Sequence, residues 1–180
     1  RLGLEREIDN AEGVASALLG VATIRYSNHE YGRALEAYRE ALAIQETLGD
    51  NAMISTTLIS TGNVQYLQGD YEAAIADYRR AEELKRRYFD LSGAATALEG
   101  LGRVYSAQGD YAAALAAFSG VLDERRKRND IARQALVLQS IGEIHFRLGN
   151  TDQARATFDE SRRHFETAND IGSAGRVLQG

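Results

Sequence analysis

The 180-residue sequence contains no cysteine, no proline and no tryptophan, and a single methionine. Without cysteine there is no disulfide framework, thiolate zinc site, iron–sulfur cluster or cysteine nucleophile. Without proline, nothing interrupts a helix by removing a backbone donor, and a chain of this length with none points to helix throughout. No apolar run approaches the roughly 20 residues that cross a bilayer, so no membrane partner is expected. Positive charge is not in excess either. Lys and Arg number 21 against 26 Asp and Glu, a formal charge of −5, which gives no general attraction to nucleic acid. What is present is a 44% hydrophobic, 26% charged composition, which excludes a disordered chain. The length suits one ordinary domain or an array of repeats.

The sequence repeats with a period of 40. Asp50, Asp90, Asp130 and Asp170 share that step, as do Leu18, Leu58, Leu98, Leu138 and Leu178. Ala34, Ala74, Ala114 and Ala154 follow it, as do Tyr38, Tyr78, Phe118 and Phe158; Gly62, Gly102 and Gly142 match with Ala22 in the first copy. Several columns in register define a repeat. Within a copy the apolar spacing is helical: Val14, Leu18, Val21 and Ile24, then Ala34, Leu35, Tyr38, Ala41 and Leu42. Gly69-Asp70, Gly109-Asp110 and Gly149-Asn150 separate the two runs, the glycine suited to a left-handed helix stop and the Asp or Asn to the next N-cap. Copies should start again at Asp50, Asp90, Asp130 and Asp170. Each copy is therefore two helices, A and B, each about 27 Å long. A mid-helix glycine costs about 1 kcal/mol against alanine, so its recurrence implies a close approach of helix B.

These columns resemble the tetratricopeptide repeat (TPR) family. Leu98, Leu101, Gly102, Tyr105, Ala114 and Phe118 match its signature, with Val121 at the final alanine position. Leu stands at the family's Trp position in every copy, the Tyr position becomes Arg25, Gln65 and His145, and the period exceeds the usual repeat of about 34 residues. The longer unit is similar to that of kinesin light chains, Pins-type polarity adaptors and bacterial regulatory proteins. The resemblance implies an all-α fold, a right-handed α-solenoid of helix-turn-helix repeats forming a single array. Full repeats are expected at 10–49, 50–89, 90–129 and 130–169. Residues 1–9 read as the tail of a preceding repeat, and 170–180 as a truncated or capping helix. Because the chain starts at Arg1 rather than Met, it is expected to be a fragment or a processed product, and four full copies between two partial ones read as a slice of a longer array.

Catalytic and metal motifs are missing. His29, His145 and His164 have no partner at metal-ligand spacing, and no nucleophile elbow or phosphate loop occurs. Gly100-Leu101-Gly102 belongs to the helix-packing column. An enzyme, a cofactor and a metal are therefore not expected. Basic clusters at Lys85-Arg86-Arg87, Arg125-Arg126-Lys127-Arg128 and Arg162-Arg163 lie toward the ends of helix B, where the helix dipole favours cations. Acidic neighbours accompany them and no copy is net basic, so they read as solvated helix ends.

The family's ligand face is the concave one, lined by helix A. Carried onto this chain, it takes in Ser16, Leu19, Thr23 and Tyr26 in the first copy and Thr56, Ile59, Asn63 and Tyr66 in the second. Thr96, Glu99, Arg103 and Ser106 follow in the third, and Leu136, Gln139, Glu143 and Phe146 in the fourth. Steps of three and four put each set on one helix face. Tyr26, Tyr66 and Phe146 are candidate anchors for a peptide, the alternative being that they pack against helix A of the next repeat. Ile59, Asn63, Glu99, Arg103, Gln139 and Glu143 complete the expected site. Leu19 and Thr23 stand where chaperone-binding members hold a terminal carboxylate and cannot do so. The expected function is a protein-interaction scaffold within a larger regulatory protein, cytoplasmic by family resemblance, binding an extended or helical segment. Self-association through the array ends is allowed. The alternative is a sensing or nucleic-acid-binding segment of a bacterial regulator using the basic helix-B ends.

Overall fold

Five aspartates set the beginnings of helices. The side chains of Asp50, Asp70, Asp90, Asp110 and Asp130 accept from the backbone N–H groups of Met53, Ala73, Gly93, Ala113 and Arg133 at 2.8–3.3 Å. Each satisfies a donor that the first helical turn leaves unpaired. The helix ends are equally regular. Gly49, Gly69, Gly109 and Gly149 take φ of 71–80°, and at the remaining junctions His29, Phe89 and Asn129 enter the same left-handed region at 62°, 58° and 54°. The residue after each stop bonds back into the last turn, as Asp70 N–H does to Gln65 at 2.9 Å and Asp130 N–H to Arg125 at 3.0 Å.

The structure is a computed structural model that describes the backbone of residues 2–177 and the side chains of 7, 8 and 10–169. Among the described residues eight helices follow one another: α1 Leu2–Ser27, α2 Tyr31–Leu48, α3 Asn51–Gln68, α4 Tyr71–Arg87, α5 Leu91–Gln108, α6 Tyr111–Lys127, α7 Ile131–Arg147 and α8 Thr151–Val177. Among the described residues there is no strand. The fold is an all-α succession of helix-turn-helix repeats. It divides into two compact units, 1–104 and 105–180.

In the first unit α2 packs on α1 and α3, and α3 packs on α4. Ala22, Ala34, Ala37, Tyr38 and Val64 form one buried cluster, with Leu19, Tyr26, Tyr31 and Leu35 against it. Ile54, Leu58, Ala81 and Ala97 form another, joined by Leu42, Ile59 and Leu84. In the second unit α7 packs on α6 and α8. There Ser161 Oγ donates to the Ala135 carbonyl at 2.7 Å, and Gln134 Nε2 to the Arg125 carbonyl at 3.2 Å.

The two ends differ from the sequence reading. Breaks were expected after residue 9 and at Asp170, but α1 and α8 run through both positions. Continuation keeps the i→i−4 bonds and spares Asn169 the positive φ that Asn129 adopts in the same Asn-Asp pair. The capping contact expected from 170–180 lies outside the residues whose side chains are described.

Candidate functional site

The site is built outward from a phenol that packs against two glycines. Tyr78, on α4, is fully buried, and a Cβ at Gly62 of α3 or Gly100 of α5 would lie 2.9 or 2.5 Å from its ring. This is the close approach that the glycine column implies, with the aromatic ring itself filling the space. Gly142 repeats the arrangement in the second unit, where a Cβ would meet the Phe158 ring at 2.8 Å. Burial pushes the Tyr78 hydroxyl up to about 12, against the lowering effect of the Arg103 charge, so the phenol stays a hydrogen-bond donor.

That donor is used. Tyr78 Oη donates to Asn63 Oδ1 at 2.7 Å, and Arg103 Nη2 donates to the same oxygen at 2.9 Å. The Arg103 guanidinium carbon also sits 5.7 Å from the centre of the Tyr66 ring, at cation–π distance. Tyr66 in turn packs on Tyr71, the first residue of α4, with ring centres 6.0 Å apart. Asn63, Tyr66 and Arg103, from two successive A helices, thus form one connected group. Both lone pairs of the Asn63 oxygen are taken, so its amide nitrogen is turned to other partners. The remaining guanidinium nitrogens are available too, giving several donors beside an aromatic face.

The other expected residues stand apart from this group. Tyr26 packs on Tyr31 at 5.9 Å and belongs to the first buried cluster, so it is half-buried by its own repeat. Ile59 packs against the second cluster and supplies core contact. Glu99 is half-buried. In the second unit Gln139 is exposed, Glu143 accepts from Arg147 Nε at 2.9 Å, and Phe146 is 65% exposed. The structure therefore brings together three of the expected residues, leaves Phe146 as an open aromatic, and commits Tyr26 and Ile59 mostly to packing.

Tyr78 was missed as a polar member of the site, yet the sequence carries a signal for it. Tyr38 and Tyr78 occur in copies with Thr23 and Asn63, and Thr23 Oγ1 lies 3.3 Å from Tyr38 Oη. Phe118 and Phe158 occur in copies with Arg103 and Glu143 at that position. A hydroxyl in the ring column travels with a short polar partner on helix A.

The basic helix ends are largely neutralised. Lys85 pairs with Asp90 at 3.0 Å, Arg86 with Glu82, Arg87 with Glu83 at 2.8 Å, Arg126 with Glu160 at 3.2 Å and Lys127 with Glu124 at 2.7 Å. Arg125 is not solvated as expected but only 3% exposed, because it lies one turn after buried Val121 and faces α7. His29 Nδ1 lies 3.0 Å from Tyr31 Oη, and His164 Nδ1 lies 2.8 Å from the Glu160 carbonyl. Among the described residues no group of acidic and histidine side chains could hold a metal, and no helix is long and apolar enough to cross a membrane.

Known structures share this architecture. The crystal structure of BtubC (BKLC) from P. vanneervenii superimposes with a TM-score of 0.80 at 20% identity, over 86% of this chain and 64% of that one. MamA gives 0.69 at 20% identity, over 87% and 81% of the two chains. Aspartyl phosphate phosphatase F from Bacillus subtilis gives 0.82 at 17% identity, over 89% of this chain and 42% of that one. The chain thus spans less than two thirds of the length of two of these three proteins. At such identities the likeness is one of fold. No curated protein matches the sequence. The tetratricopeptide repeat model matches residues 13–87 and 93–167, which are nearly the whole of the repeated region. With paired helices, glycines under aromatic rings and a family model covering most of its length, the chain belongs to the tetratricopeptide repeat family.

Proposed function

We propose that the chain is a protein-interaction module that captures a peptide segment on the A-helix face of its first unit, at Asn63, Tyr66 and Arg103. Repeats of this family generally mediate protein–protein interaction and form non-catalytic scaffolds. The observation that carries the reading is the convergence of Arg103 on both Asn63 and Tyr66. An aromatic face flanked by amide and guanidinium donors suits an extended peptide, whose carbonyl oxygens need donors and whose side chains need an apolar contact. A place within a larger regulatory protein, as the family resemblance suggests, fits such a module.

The ion pairs of Arg86, Arg87, Arg126 and Lys127 weigh against the alternative of a nucleic-acid site at the helix-B ends. Peptides selected against the chain from a display library supply the test. Replacing Asn63, Tyr66 and Arg103 together by alanine should keep the helical content and weaken such peptides by about tenfold or more. Replacing Arg87, Arg126 and Arg128 by glutamine should change affinity far less. The opposite pattern would move the site to the basic ends.

A further inference from the structure

A second feature of the first unit lies away from Asn63 and does not depend on the reading above. Where the start of α3 meets α1 and the end of α2, the helices leave a cavity of about 170 Å³. Glu12, Ser16, Gln45 and Asp50 give it a polar lining, and Leu48 and Met53 an apolar one. Gln45 is 2% exposed, and its Nε2 has no hydrogen-bond partner. Its Oε1 accepts from Thr57 Oγ1 at 2.9 Å. A buried amide nitrogen left unpaired is a net cost to the fold, so the lining is unsatisfied as it stands.

The repeat supplies its own comparison. Forty residues on, Ser16, Gln45 and Asp50 correspond to Thr56, Lys85 and Asp90. There the Lys85 ammonium sits 3.0 Å from Asp90 Oδ2 and 3.2 Å from Thr56 Oγ1, while Asp90 Oδ1 caps Gly93. The Lys85 stem runs where a side chain at position 93 would stand, its Cδ 2.7 Å from the Cβ that Gly93 lacks. In the first repeat Asp50 Oδ1 caps Met53 in the same way. The column residue, however, is neutral and shorter, and Glu12 adds a second carboxylate where the next copy has Ala52. The first repeat thus keeps the acceptors of an ammonium site, adds one, and brings no cation to them from among the described residues. The Gln45 amide can adapt as well. The Thr57 hydroxyl both donates and accepts, so a turned amide keeps that bond and offers Oε1 to the cavity.

We propose that this cavity binds a primary alkylammonium group, seated between Asp50, Glu12 and Ser16 as the Lys85 ammonium is seated between Asp90 and Thr56. Turning of the Gln45 amide completes the set of acceptors, and Leu48 and Met53 pack against the alkyl stem. The group can come from a lysine side chain of a partner or from a free diamine.

Met53 is the chain's single methionine, so a methyl-labelled sample gives one reporter inside the cavity. The 180-residue chain is titrated with Nα-acetyl-lysine methylamide, with putrescine, and with the uncharged norleucine analogue, while the Met53 methyl shift is followed. Saturable shifts are expected with the amines and not with norleucine. Gln45→Lys, which supplies an internal ammonium as Lys85 does, should weaken amine binding by at least about tenfold. Glu12→Gln, at an exposed position, should weaken it too and decides the matter if Gln45→Lys fails to fold. Tighter binding of the lysine analogue assigns the site to a partner's side chain, and tighter binding of putrescine to a free diamine. Shifts that do not saturate, equal shifts with norleucine, or an affinity unchanged in both variants would overturn the proposal.

Discussion

Asp77 shows how a single half-buried group can be read from its neighbours. Its carboxylate accepts from Thr61 Oγ1 at 2.6 Å, while Gln65 Oε1 nearby is buried without a partner. Burial raises its pKa above the ordinary 3.8, and the bonds from Thr61 and Gln65 and the charges of Arg39 and Arg80 only partly offset this. A raised folded-state value means the folded chain holds its proton more tightly than the unfolded one. The stabilisation is therefore complete below 3.8 and is lost as pH rises through the folded value. At neutral pH the half-buried charge is therefore a net cost. Asp77→Asn removes that charge, keeps an acceptor for Thr61 and, once the Gln65 amide turns, gives Gln65 Oε1 a donor. Thermal unfolding at pH 7 should move to higher temperature in this variant, and the gain should vanish below about pH 3.8, where Asp77 itself is neutral. A loss of stability at pH 7 would mean that the nearby charges of Arg39 and Arg80 outweigh burial. None of this was legible in the sequence, since Asp77 sits in no repeated column. By contrast Asn63, Tyr66 and Arg103 were legible, because helical spacing from the glycine column fixes the face they occupy.

Among the helices, glycine separates two kinds of position. Gly20 in α1 has open space where a Cβ would go, whereas at Gly100 in α5 a Cβ would come within 2.5 Å of the Tyr78 ring. That ring cannot move aside easily, because Gly62 of α3 also lies against it and Asn63 holds its hydroxyl. Gly20→Ala should therefore raise stability by about 0.5–1 kcal/mol through helix propensity alone. Gly100→Ala should lower it by about 1–3 kcal/mol, overpacking outweighing propensity. Chemical denaturation of the two variants checks both, and equal stabilisation would remove the clamp on Tyr78. Helix boundaries were legible wherever a side chain determines them, as at the capping aspartates. They were not legible at Asn169-Asp170, where the pair that breaks the chain at 129–130 is passed over by a continuous α8. Such a pair permits a turn, and packing of the following helix decides whether one forms. Phe89 makes the same point from the other side. It holds φ 58° while 89% exposed, a conformation its own side chain does not favour, so the helices on either side must impose it.

For the molecule as a whole, the forty-residue period carried the fold class and the family, since each copy repeats the residues that make two helices pack. The period says less about ligands, because binding residues are those that differ between copies. Asn63, Arg103 and Glu143 occupy one column with three chemistries, and Gln45 and Lys85 another with two. Such differences acquire meaning only once it is known which copies touch, as Arg103 touches Asn63 and Tyr66. The central claim is that a peptide docks on the A-helix face of the first unit. Hydrogen–deuterium exchange of the chain with and without a selected peptide tests it most directly. The account predicts slowed exchange at 59–66 in α3 and 99–103 in α5, with the ends of α4 and α6 unchanged. Slowed exchange confined to 85–89 and 125–129, with α3 unaffected, would contradict it.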